Sequence, residues 1–239
     1  MSDSSTKPTD RFIRQSGFVP ADKMSEANIA VIGVGAIGRQ VAIQLVAMGV
    51  RRLTIIDFDT VEDHNRTTQG YRLADVGKKK VEALKEALLE IDPDCEITTI
   101  DDVYRGKYAK PQMFCCVDSI KVRQAIWENG GKASRFYADG RMLGEVMRIL
   151  AVSNDADATY YPKTLFAPEQ AQQGACTARS TIYTSGIAAG MMIQQFTRYL
   201  RGYDVDRDMS LNLLAGELTV ADFDANTEPT CSAAEPVVT

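Results

Sequence analysis

Strand-like and helix-like segments alternate along this chain, and that alternation predicts an α/β fold, a mostly parallel sheet with helices on both faces. Two observations carry the prediction. Residues 28–33 (NIAVIG) form a short β-branched run that ends in glycine, the signature of a buried strand. The next stretch, 36–48, places Ile37, Val41, Leu45, Val46 and Met48 at helical spacing.

The elements that follow keep the pattern. Residues 52–57 (RLTIID) read as a second strand ending in acid. Residues 79–91 read as an amphipathic helix, with Val81, Leu84, Leu88 and Ile91 on one face and Pro93 as the stop. A third strand falls at 96–100 and a fourth at 112–117 (QMFCCV), followed by a helix from about 119 to 128. Residues 143–153 read as a strand turning away from this core. Residues 154–180 carry Pro162, Pro168, Gly174 and several glutamines and read as one long loop. The last long helix spans 181–201, and 210–220 is the final strand material. The ends, 1–10 and 224–239, read as polar tails flanking one domain over 11–223.

Composition narrows the chemistry. The chain has 239 residues, 27 Lys and Arg against 32 Asp and Glu, and a net charge of −5. No basic excess is available to coat phosphates, so a nucleic-acid partner is disfavoured. A single histidine excludes two-histidine metal motifs. It also puts any serine-histidine triad wholly on His64, which reads as a surface or capping residue. The five cysteines, Cys95, Cys115, Cys116, Cys176 and Cys231, are odd in number and irregularly spaced. They do not form a disulfide framework. With no apolar signal segment and no run of about 18 apolar residues, a cytoplasmic protein without a membrane partner is expected.

The chemistry centres on Gly33-Val34-Gly35-Ala36-Ile37-Gly38, a G-x-G-x-x-G turn between a strand and a helix. Glycines at this spacing let backbone N–H groups approach phosphate oxygens at the positive end of the helix dipole. Asp57 ends the next strand, about 20 residues on, where an acidic side chain can take ribose hydroxyls. This context predicts nucleotide binding but does not separate a nicotinamide cofactor from ATP.

The residues beyond Asp57 resemble one family. Asp57-Phe58-Asp59-Thr60-Val61-Glu62-Asp63-His64-Asn65 resembles the D-x-D-x-V-x-x-x-N segment of E1-like adenylyltransferases, the family of ThiF, MoeB and ubiquitin-activating enzymes. Arg11-Phe12-Ile13-Arg14-Gln15 is similar to its R-[YF]-x-R-Q. Asp75-Val76-Gly77-Lys78-Lys79-Lys80 is similar to its D-V-G-x-x-K, and Cys116-Val117-Asp118-Ser119 with Arg123 to its C-T-D-N-x-x-x-R. The resemblance covers about residues 11–220.

It implies a Rossmann-like domain with a ThiF/MoeB-type C-terminal strand extension. It also implies a homodimer that uses Mg2+ and ATP to adenylate the C-terminal carboxylate of a ubiquitin-like or sulfur-carrier protein, or of a peptide. Gly33, Gly35, Gly38, Asp57, Asp59, Asn65, Arg66 and Lys80 would then hold the nucleotide, with Lys80 also acting on the phosphates during reaction. Asp118 would hold Mg2+, a hard cation suited to carboxylate oxygen. Its rival role is to cap the helix that follows. Arg14 aligns with an arginine that reaches the neighbouring subunit's site.

Two departures stand out. Thr68 occupies the place of a family arginine, leaving Arg66 or Arg72 as replacements. No C-x-x-C pair is present, so no zinc is expected. Cys115 and Cys116 fit a strand core, and Cys176, before the last helix and near Arg179, is the candidate thiol for thioester or sulfur transfer. Two rival readings stay open, a nicotinamide-dependent oxidoreductase and a non-catalytic E1-like partner subunit.

Overall fold

In the computed structural model, described over residues 11–165 and 181–221, eight strands form one sheet in the order β3-β2-β1-β4-β5-β6-β7-β8. Strands β1 (Asn28–Ile32), β2 (Arg52–Ile56), β3 (Glu96–Ile100), β4 (Gln112–Cys115) and β5 (Phe136–Leu143) run parallel. Strands β6 (Val146–Val152), β7 (Asp208–Asn212) and β8 (Glu217–Val220) extend it antiparallel. This is the mostly parallel Rossmann-like sheet with a C-terminal strand extension that the sequence predicts.

Helices cover both faces, because parallel strands joined by crossovers must bury both. On one face lie α2 (Ala36–Ala47), α4 (Lys80–Ile91) and α7 (Ile182–Arg201). Their Val41, Leu45, Leu84, Met192 and Phe196 pack in a common core with Phe114 and Phe136 of the sheet. On the other face α5 (Ile120–Glu128) buries Ile126 and Trp127 against Tyr137 and Tyr161. Local chemistry sets the helix ends. The Thr181 side chain accepts from the Thr184 N–H at the start of α7, and Gly202, at φ +79°, closes it in the left-handed region.

Short helices α1 (Ala21–Glu26), α3 (Asn65–Gln69) and α6 (Asp155–Tyr160) complete the set. The last of these corrects the expectation of a continuous loop over 154–180. Asn154 caps α6 through its side chain, and the Asp157 carboxylate takes the Ser153 N–H at 3.1 Å. Pro162 sits within a 3-10 turn, Tyr161–Thr164, where its missing N–H costs nothing. The rest of that segment lies outside the described residues. Strand β5 is an addition to the strands read from hydrophobic patterning, although the family resemblance puts a strand entry at residues 139–144. It is fully buried from Phe136 to Gly140, yet Asp139 and Arg141 interrupt its apolar run. The expected strand at 143–153 starts only at Val146, because Gly144, at φ +60°, turns the chain between β5 and β6. The material at 210–220 is a hairpin, β7 and β8.

Candidate active site

Strand order reverses between β1 and β4, so a crevice opens at their carboxyl ends, where ligands of open α/β sheets bind. The glycine turn leaves β1 at that point. Gly33 has φ +82°, and a Cβ there would lie 2.9 Å from the Cys116 carbonyl oxygen. A Cβ on Gly38 would overlap the Gly33 carbonyl oxygen, so that glycine lets α2 pack onto its own turn. Gly35 differs, since a Cβ there would meet nothing closer than the Gln69 carboxamide at 3.9 Å. The fold itself needs the first and third glycines. The second keeps open space above the first turn of α2, which no side chain caps. Uncapped leading amides beside open space suit an anionic ligand.

A contrast between two variants tests that division. Gly38→Ala should lower the melting temperature, through overpacking of about 1–3 kcal/mol. Gly35→Ala should cost less in melting temperature than Gly38→Ala and weaken nucleotide binding. Thermal unfolding with and without ATP reads both.

Around the turn, Asp57 engages both carboxylate oxygens. Oδ2 accepts from the Val34 N–H at 2.8 Å and Oδ1 from the Asp59 N–H at 2.8 Å. It thus fixes the glycine loop while keeping lone pairs for a further donor. Lys80, buried at the start of α4, pairs with Asp59 at 2.8 Å. Asn65 is buried, and its Oδ1 accepts from the Glu62 N–H at 2.8 Å. Tyr71 joins these pieces, donating from its hydroxyl to the Val34 carbonyl oxygen at 2.8 Å. Burial pushes the Tyr71 phenol well above its ordinary value, so it stays a neutral donor.

Asp118 follows β4 and is exposed. Cys116 donates its N–H to the Ile32 carbonyl, and Gly33 packs on Cys116, so the Asp118 segment lies against the glycine turn. The cap of α5 is Ser119, whose hydroxyl accepts from the Val122 N–H. Asp118 has no hydrogen bond or ion pair among the described residues, leaving its carboxylate available to a cation.

Other candidates lie elsewhere. Arg66 pairs with Asp63 at 2.7 Å. Arg72 is bound to Asp75 and Glu90 on the flank of α4. Thr68, in the place of the family arginine, donates from its hydroxyl to the His64 carbonyl. His64 is exposed, beside Glu62. Arg14 is exposed on a turn whose neighbours pack far from the chain's own glycine loop. Gln15 donates to the Met48 carbonyl at 3.0 Å, and Gly49 faces the Phe12 ring. That location is the opposite end of α2, roughly 18 Å away at 1.5 Å per residue. Cys115 is buried in the sheet, and burial raises the Cys116 thiol above its usual value. Cys176 and Cys231 lie outside the described residues.

The sequence reading missed Tyr71, Gln69 and Arg39. Arg39 directly follows the third glycine, and the one charged residue of α2, four positions after Gly35, was the available signal. Among the described residues, no helix is long and apolar enough to cross a membrane.

Sheet order, switch-point crevice and glycine turn define a Rossmann-like α/β protein with an unpartnered acidic residue, Asp118, shortly after β4. The sequence matches the ThiF family over residues 10–233, and the chain belongs to that family. It is 25% identical over 226 residues to ubiquitin-like modifier-activating enzyme 5 of Caenorhabditis briggsae, covering 81% of this chain and 51% of the relative. It is 27% identical over 212 residues to the enzyme of the same name from Dictyostelium discoideum, covering 75% and 54%. The chain therefore spans about half the length of these relatives. Its identity to molybdopterin-synthase adenylyltransferase of Salmonella typhimurium is 31% over 121 residues, covering 48% of this chain and 49% of that one. In fold it is similar to E. coli MccB solved with AMPCPP and MccA, at TM-score 0.66 and 15% identity, covering 84% of this chain and 65% of that one.

Proposed function

We propose that this chain adenylates the C-terminal carboxylate of a ubiquitin-like or sulfur-carrier protein, or of a peptide, using Mg-ATP and releasing pyrophosphate. One observation carries the reading: the open glycine turn stands at the switch point of the sheet, against the segment that leads to the unpartnered Asp118. Membership of the ThiF family supports it, as do relatives named as a modifier-activating enzyme and an adenylyltransferase.

The chemistry joins two anions. A substrate carboxylate oxygen attacks the α-phosphorus, the bond to the β-phosphate oxygen breaks, and an acyl-adenylate and pyrophosphate result. Such a reaction needs positive charge and fixed positions. The leading amides of α2 face the phosphates, Asp57 holds the loop and takes the ribose, and Lys80 and Asn65 border the phosphate side. Asp118 would hold Mg2+, which when bound neutralises phosphate charge. In a homodimer each Arg14 would serve the other subunit's site. A second step is assigned to Cys176, whose sulfur takes the acyl carbon and releases AMP.

The test is carboxylate-dependent ATP–pyrophosphate exchange, using a panel of ubiquitin-like and sulfur-carrier proteins with glycine-ended tails. Exchange with at least one carrier, and no NADH turnover, is expected. A chain that binds no ATP and exchanges with none would be a partner subunit instead. For the second step, Cys176→Ala should remove a reducible carrier adduct and leave exchange intact.

A further inference from the structure

We infer that Arg39 is a phosphate-binding residue of this site, the buried cation whose counter-ion is the nucleotide; this rests on the ATP reading above. Arg39 is only 8% exposed, yet no carboxylate pairs with it among the described residues. Its Nε is buried without a hydrogen-bond partner. Nη1 has only the Gln69 carbonyl oxygen, at a long 3.4 Å, and the guanidinium lies 5.0 Å from the centre of the Tyr71 ring. A buried charge without an opposite charge is expensive, and a fold keeps one where a ligand completes it.

The position agrees. Arg39 stands four residues after Gly35, and its N–H donates to the Gly35 carbonyl. A helical side chain leans back over the turn before it, so Arg39 reaches towards the first turn of α2. Its neighbours frame the same place. The Gln69 carboxamide is what a Cβ on Gly35 would first meet, and its Oε1 is also buried without a partner. The Tyr71 ring under the guanidinium carries the hydroxyl that holds Val34 of the glycine turn. One orphaned polar atom, Gln69 Oε1, thus borders the open space that Gly35 leaves, and the other, Arg39 Nε, belongs to the residue one helical turn on that contacts Gln69 through Nη1. Burial lowers the affinity of Arg39 for its proton, but a guanidinium stays charged at neutral pH.

The experiment compares the wild-type chain with Arg39→Met, which keeps the length and loses the charge. Calorimetry measures ATP and adenosine binding, and thermal unfolding is followed without ligand. Loss of a charge-assisted contact should weaken ATP binding by about 10- to 100-fold. Adenosine binding and the ligand-free melting temperature should hold or, for melting, rise. Unchanged ATP affinity in Arg39→Met would overturn the assignment alone. So would an equal loss of ATP and adenosine binding with a lower melting temperature, which marks a purely structural arginine. No ATP binding by the wild type would sink the adenylation reading, and this inference with it.

Discussion

Asp118→Ala should reduce carboxylate-dependent ATP–pyrophosphate exchange by about 100- to 1000-fold, the range seen when one group that stabilises developing charge is removed. The size follows from what Asp118 does not do. It is exposed, it pairs with nothing among the described residues, and the capping of α5 belongs to Ser119. Removing it breaks no structural contact, so the melting temperature should stay within about 1–2 °C, the shift of a neutral surface substitution. Asp118→Asn should lose nearly as much, because an amide cannot supply the charge a hard cation prefers. Exchange measured at rising Mg2+ completes the check. A variant that exchanges at the wild-type rate at all Mg2+ concentrations would remove Asp118 from the site.

What could be read in advance divides along physical lines. The glycine turn and its strands were legible because period and spacing are local: Gly33, Gly35 and Gly38 fall where β1 ends and α2 begins. The functional split among those glycines was not legible, because it depends on distant atoms, Cys116 behind Gly33 and Gln69 beyond Gly35. The same holds for the cations. Arg66 and Arg72 were close in sequence to the missing arginine at position 68, but each finds a nearer acid, Asp63 and Asp75. Arg39 is far in sequence and near in space. Helix α6 was hidden because Asn154, Asp155 and Pro162 are turn formers, and only the observed hydrogen bonds decide that they start a helix. Strand β5 was hidden by charge, since Asp139 and Arg141 suit a strand interior only when they find each other.

That pairing sets the other large effect. Asp139→Ala is expected to destabilise the protein by about 3–5 kcal/mol, the cost of removing one partner from a buried ion pair. For a chain of this size that is a fall of roughly 6–20 °C in melting temperature. Asp139 is fully buried and serves two guanidinium groups at once. Oδ1 faces Arg123. Oδ2 accepts from Arg141 Nε at 2.9 Å and from the Tyr161 hydroxyl at 2.9 Å. Arg141 goes on to the Thr164 carbonyl at 2.8 Å, tying β5 to the turn after α6. Arg123 donates to the carbonyls of Val117 and Gly140, so it grips the residue just before Asp118. Without Asp139, both guanidinium groups stay buried with no opposite charge, and their grip on the 116–118 segment weakens. Exchange should therefore fall even well below the melting temperature. A compensating variant separates charge from shape. Asp139→Leu combined with Arg123→Met and Arg141→Met removes the ions together, and buried ions replaced by apolar side chains of similar volume often cost nothing in stability. The triple variant should melt above Asp139→Ala while exchange stays low, because the Val117 carbonyl has lost its donor. If Asp139→Ala melts like the wild type, the network holds neither the fold nor the crevice.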